Sequence, residues 1–207
     1  MRDGPGFAAA CLFCAALLWA THSPAAEVII GSVLAVRGEV SRGDGAKQSP
    51  LEAKAPVYLG DTIVSGAGKA KIGLNDGTVI SVGENTRLRL SMYQSVSNSF
   101  TTRLNVVAGA LRLLVARIST GGHFEIETET AIAAVRGTDW LMDVAADMTA
   151  VAIITGAVTV SSKGKPGMVV LDTPGHGTDV ARGEAPTNPH AWGAQRLAKA
   201  LERATFE

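Results

Sequence analysis

Between Glu27 and about Leu171, apolar residues recur at every second position. Phe124, Ile126 and Thr128 alternate with Glu125, Glu127 and Glu129, and Leu88, Leu90 and Met92 alternate with Arg87, Arg89 and Ser91. Leu104 and Val106 alternate with Arg103 and Asn105, while Leu111, Leu113 and Val115 share one side with Arg112 opposite. Successive side chains of an extended strand point to opposite faces, so each run predicts a strand with one buried face. No stretch of this region carries a strong helical period. The chain is therefore expected to be all-β, and its 23 glycines and few aromatics suit short strands and tight turns.

Glycine marks the corners. Val36-Arg37-Gly38-Glu39-Val40, Val107-Ala108-Gly109-Ala110-Leu111 and Ile154-Thr155-Gly156-Ala157-Val158 share one pattern. Asp76-Gly77-Thr78 and Arg136-Gly137-Thr138 share a second, each linking two alternating runs. A glycine lets a strand turn sharply, and a branched threonine suits the start of the next strand. Recurring strand–glycine–strand units predict a short β-solenoid-like, stacked-strand domain, although their spacing is irregular. Residues 41–49 and 93–101 are polar and predict loops. Residues 172–189 hold Pro174, Pro186 and Pro189 with several glycines and predict a linker. Asn188 and Pro189 then resemble a helix start, and Ala194, Leu197, Leu201 and Ala204 form one apolar stripe. That stripe predicts a C-terminal amphipathic helix over 190–207, docked on an end of the solenoid with Trp192 and Phe206 at its margins.

Before the β region lies FAAACLFCAALLWA, residues 7–20, preceded by Arg2 and followed by the small residues Ser23, Ala25 and Ala26. The run is shorter than the ~20 residues a membrane span needs. It predicts a secretory signal peptide over 1–26, cleaved after Ala25 or Ala26, with an uncleaved anchor as the alternative. Both cysteines, Cys11 and Cys14, fall inside it, so the mature chain has no disulfide, thiolate metal site or cysteine nucleophile. The 19 basic and 19 acidic residues balance, which argues against wholesale attraction to nucleic acid.

Leu59-Gly60-Asp61-Thr62-Ile63, Asp76-Gly77-Thr78, Val135-Arg136-Gly137-Thr138 and Ile154-Thr155-Gly156-Ala157-Val158 resemble, in that order, motifs of the FecR-domain family. The resemblance covers roughly Gly31 to Leu171 and assigns 27–171 to a FecR-like β domain. It implies a periplasmic all-β module related to regulators of iron-siderophore uptake. The full regulators also carry a cytoplasmic anti-sigma region and further periplasmic domains, and the resemblance does not extend to these. The sigma-factor role is therefore not carried over with the β module.

Candidate sites are weak. Arg136 at the Arg-Gly-Thr corner is expected to be structural and to pair with Asp139 or a neighbouring glutamate. His123 with Glu125, Glu127 and Glu129 could in principle hold a divalent ion. A solvated strand face is the simpler expectation, with the glutamates balanced by Arg112 and Arg117. His176 lies in the expected linker without a partner for acid–base work. Asp139 and Asp143 lie four residues apart on one strand, about 13 Å between Cα atoms, too far for an acid–base pair across a glycosidic bond. No nucleophile elbow, phosphate loop or dinucleotide fingerprint occurs. The expectation is thus a module with no catalytic residue, metal or cofactor, binding an envelope protein or glycan through Arg87, Arg89 and Arg103. The alternatives are a periplasmic sensor acting with a separate transmembrane regulator, and a glycan hydrolase or lyase on a β-solenoid.

Overall fold

The computed structural model describes residues 27–43, 47–96, 99–116 and 122–206. The expected signal peptide and Arg117 lie outside these residues. The chain begins with β1 (Ile29–Arg37), which turns at Gly38 into β2 (Val40–Arg42). There follow β3 (Ser49–Pro50), β4 (Pro56–Tyr58), β5 (Thr62–Ser65), β6 (Lys69–Leu74), β7 (Val79–Val82) and β8 (Arg87–Val96). The longest strand is β9 (Ser99–Leu114), after which come β10 (His123–Glu127), β11 (Ala131–Val135), β12 (Asp139–Val144) and β13 (Met148–Thr155). The last strands are β14 (Val158–Ser162), β15 (Met168–Leu171), β16 (His176–Ala181) and β17 (His190–Ala191), and α1 (Ala194–Ala204) closes the chain.

These strands form two facing layers. Sheet A runs β4–β1–β6–β7–β9–β12–β13–β16–β17. Sheet B runs β3–β2–β5–β8–β9–β10–β11–β14–β15. Neighbours are antiparallel except β9 and β10, which run parallel. β9 belongs to both layers. Its first half lies between β8 and β10, and its second half between β7 and β12. The joint is Gly109, at φ +110, where a Cβ would overlap Thr86. Only glycine combines that backbone angle with so close an approach.

The inward residues of both layers make one core. Phe124, Leu88 and Leu104 from sheet B meet Trp140, Ile72, Ile80 and Leu111 from sheet A, all fully buried. Each such side chain contributes on the order of 1.5–3 kcal/mol relative to exposure. Alternation in the sequence thus becomes a two-layer fold. The expected all-β, stacked-strand class with a C-terminal helix is what the structure shows.

The two tripeptide corners differ. Asp76-Gly77-Thr78 is a hairpin turn within sheet A, in which the Asp76 carboxylate accepts from the Thr78 N–H at 2.8 Å. Arg136-Gly137-Thr138 instead carries the chain from sheet B to sheet A. The buried Thr138 hydroxyl donates to Ala157 O at 2.9 Å, and a Cβ on Gly156 would lie 2.9 Å from Gly137 O. Two layer-crossing corners are therefore packed against each other.

Three sequence expectations need correction. Residues 172–189 are not a linker, because β16 lies there and pairs with β13 from Met148↔Ala181 to Ala152↔Gly177. The helix starts at Ala194 after Gly193, and His190–Ala191 is a short strand beside β16. Much of the expected polar loop 93–101 is the extended end of the β8–β9 hairpin, where Tyr93 and Phe100 pack with ring centroids 5.8 Å apart. Burial, with the nearby Asp76 carboxylate, pushes the Tyr93 hydroxyl up to about 12.

Candidate interaction surface

Each layer has an outer face, and the two are built differently. On sheet B, Arg103 and Asn105 of β9 stand beside Glu125 and Glu127 of β10, because the parallel register pairs Arg103↔Glu125 and Asn105↔Glu127. Arg103 reaches Glu125 and Glu127, each at 3.1 Å. Glu125 and Glu127 are thus paired with Arg103 rather than with the expected Arg112, and the expected Arg117 lies outside the described residues. Arg112 is held by Asp139 in a two-pronged contact at 3.0 and 2.8 Å, and that contact raises the Arg112 pKa. Asp139 is therefore not the partner of Arg136, which is exposed. Glu129 meets Arg182 across an exposed gap of 2.9 Å. Of the expected basic stripe, Arg103 is engaged by carboxylates, Arg87 is half-buried on the same face, and Arg89 is exposed beside it.

His123 opens β10 and is exposed. Among the described residues no group of three or more metal-ligating side chains converges. His176 is not in a loop but is the first, half-buried residue of β16.

Sheet A's outer face is paved with small residues where the helix lies. Ala110, Leu141, Ala150 and Ala152 form a second apolar cluster with Trp192 and Ala204, and Leu197, Ala200 and Leu201 pack on its edge. The floor cannot be taller. A Cβ on Gly83 would overlap Arg203 O, and a Cβ on Gly177 would overlap the Trp192 indole. The expected stripe on α1 does dock, but onto a sheet face rather than a solenoid end.

Charges then fix the helix. Arg196 grips Asp179 through both guanidinium nitrogens, one contact being 3.0 Å, and lies 3.8 Å over the Trp192 ring. Arg203 pairs with Asp143, and the Lys69 ammonium donates to Glu202 O and, at 3.3 Å, to Thr205 O at the end of α1. Burial raises the Asp143 pKa, against the opposing pull of Arg203, Arg196 and Lys199. A cleft of about 340 Å³ beside the helix is lined by Asp143, Met148, Trp192, Arg196, Lys199 and Arg203. Two of its three cations are already matched by carboxylates.

Asp179, Arg196 and the small-residue floor were not singled out from sequence. The available signal was the Ala and Gly at outward strand positions 110, 150, 152 and 177, where sheet B carries Arg, Asn, Glu and Thr.

Residues 61–159 match the family model described as FecR protein. The match starts beside β5 and ends within β14, so it contains the shared strand β9 and the corners at Gly109, Gly137 and Gly156. No curated protein matches the chain. Two crystal structures of "a putative anti-sigma factor" from Parabacteroides distasonis ATCC 8503, at 2.50 and 1.65 Å resolution, share the fold. Each aligns with a TM-score of 0.54 at 21% identity over 67% of this chain. The chain spans 62% of the length of that protein.

Proposed function

We propose that this chain, whose residues 61–159 carry a FecR domain, is an exported, non-catalytic regulatory module of the cell envelope that acts by binding an envelope protein or glycan. The family match is the observation that carries the reading. It falls on the part of the fold that joins the two sheets, and FecR-type proteins are regulators. The fold shared with a protein described as an anti-sigma factor points the same way. Signalling output in this reading runs through a separate transmembrane regulator; among the described residues no helix is long and apolar enough to cross a membrane.

The outer-face chemistry supports binding over turnover. Glu125, Glu127, Asp139, Asp143 and Asp179 are each held by an arginine within 4 Å. Carboxylates engaged in this way are committed to ion pairs within the fold rather than set out as an acid–base pair. Of the expected basic stripe, Arg89 is the exposed member that can meet an anionic group.

The test uses the tagged full chain in its own cells. Recovery from the periplasm with an intact mass beginning at residue 26 or 27 is expected, together with altered envelope-gene transcription on deletion. Steady depolymerisation of an envelope polysaccharide by the purified protein, with transcription unchanged by deletion, would replace this reading with the hydrolase or lyase.

A further inference from the structure

Four strands stand outermost in the two sheets, and three of them are blunted. β3 is two residues long and ends in Pro50, β4 is three residues long and starts at Pro56, and β17 is two residues long and follows Pro189. A proline has no N–H to offer an incoming strand, and so short a strand offers little else. The fourth, β15, reads Met168-Val169-Val170-Leu171, without proline or charge. Among the described residues it pairs only with β14, from Val158↔Leu171 to Ser161↔Met168.

The phase of the ladder fixes what β15 leaves free. At the turn Ser162 N–H donates to Gly167 O at 3.2 Å, and on the other side of β14 Lys163 N–H donates to Thr130 O at 2.9 Å. Hydrogen-bonded pairs alternate along an antiparallel ladder, so the bonded pairs of β15 are Val160↔Val169 and Val158↔Leu171. The N–H and C=O groups of Met168 and Val170 therefore point away from β14, and among the described residues nothing bonds to them. The same two residues carry the exposed side chains, at 67% and 48%, whereas Leu171 is buried and Val169 half-buried against the core. Residues 183–186 pack under the β14–β15 turn, at Gly164 and Gly167, and make no backbone bond to either free residue. The outer neighbours of Met168 and Val170 are Ser161 and Thr159 on β14, then Ile132 and Ala134 on β11, so this end of the outer face carries no charge.

We propose that β15 is a self-association edge, through which two copies of this chain join sheet B to sheet B as antiparallel strands about a two-fold axis. The register is centred on Val169, which faces Val169 of the second copy, and Met168 faces Val170 of the second copy on either side. This register keeps the outer faces of both sheets on one side and sets the free N–H and C=O of Met168 against those of Val170, so that each donates to and accepts from the other. It also covers the exposed Met168 and Val170 side chains with each other. The two ends of β15 carry opposite charge, with Lys165 in the turn before it and Asp172 just after it. Antiparallel copies bring each Asp172, which has no ion pair among the described residues, beside Lys165 of the other copy, whose present contact is an exposed one of 3.5 Å to Glu184. The other outermost strands offer no second receptive edge, so the assembly closes at two copies instead of growing into a fibre. Four residues a side bury less than the ~1,200 Å² of a standing interface, so the pair forms and parts with concentration. The inference is independent of the binding reading, since Arg89 on β8 stays open in such a pair.

The experiment is sedimentation of the full chain, purified as its own cells leave it, from about 1 μM to 1 mM, with residue-resolved amide exchange at both ends of that range. The mass should rise from one chain toward two and stop there. The Met168 and Val170 amides should exchange freely in the dilute sample and about tenfold or more slowly in the concentrated one, while Val169 and Leu171 stay protected in both. Val170→Pro removes an outward N–H and leaves the bonds to β14 in place, and Met168→Lys puts a charge on the edge. Each should hold the concentrated sample at the mass of one chain. If the proline variant does not fold, the lysine variant decides, with the melting temperature of the dilute protein unchanged. A single chain at every concentration would overturn the proposal, and so would a dimer that survives Met168→Lys or leaves the Met168 and Val170 amides exchanging freely. Growth beyond two copies would overturn the closed pair. Protection of those two amides only by another protein retained from the cells would put a foreign strand on β15 in place of the second copy.

Discussion

The two outer faces solve the same problem in opposite ways. Sheet B is finished by water. Its outward positions on β8, β9 and β10 carry Arg89, Arg103, Asn105, Glu125 and Glu127, and Arg103 and Asn105 hold the two glutamates across strands. Sheet A carries Ala110, Ala150, Ala152 and Gly177 at the corresponding positions, which leave backbone and core too near the solvent, and Trp192 with α1 completes the layer. The size of the outward side chain, more than its hydrophobicity, decides which sheet needs a third layer. Tall, charged residues are their own roof, whereas small ones require another element.

Removing that element should give the largest effect. Deleting residues 192–207 should destabilise the fold more than Trp192→Ala alone, which should cost about 3 kcal/mol, or roughly 6–12 °C in melting temperature. An unchanged midpoint in the truncated chain would mean that sheet A, like sheet B, stands without cover. Next in size is a steric change to the floor. Gly83→Val should cost ~2 kcal/mol by pushing against the carbonyl of Arg203, and should free the end of α1 to faster amide exchange. The matching change on sheet B, Thr159→Val, should stay within about 0.5 kcal/mol.

The third test is electrostatic. Asp143 has its folded pKa raised above the ordinary 3.8, so the stability it adds is complete below that value and is lost as pH rises through the raised one. Denaturation curves from acid to neutral pH should show this decline in the parent protein and not in Asp143→Asn. A parallel course for the two proteins would place the titration elsewhere, for instance at Asp61, whose pKa burial also raises. The smallest effect belongs to sheet B. Arg103→Ala should cost about 0–1 kcal/mol, less in high salt, since its pairs are partly exposed. A loss above that range would show that the ladder on sheet B holds the layer together rather than merely finishing it.

The strands and corners were legible because period two and glycine are local signals. Gly38, Gly109 and Gly156, matched by pattern alone, all adopt positive φ. The layer each strand joins was not legible, since nothing local distinguishes the hairpin at Gly77 from the crossing at Gly137. β16 was missed because its alternation is written in His176-Gly177-Thr178-Asp179-Val180, in which the inward residues are Thr178 and Val180 and one outward position is glycine. The Arg103 pairing was missed because it depends on β10 lying parallel to β9 across an intervening excursion of the chain. The helix face was legible from its stripe, but its seat was not, because a floor is recognisable only once four separate strands are side by side.

β9 sets the order in which this protein can assemble. A chain that has emerged from the ribosome only as far as Val96 has strands for half of each layer, but β7 and β8 end those half-layers as bare edges. Such edges invite pairing with another chain. The sixteen residues of β9 close both edges at once, because its first half pairs with β8 and its second half with β7. The same strand then offers its far side to β10 and β12, so each later strand adds to a template already bent into two planes. Synthesis stalled just before Ser99 should therefore leave the most aggregation-prone fragment, and a stall just after Leu114 one of the least.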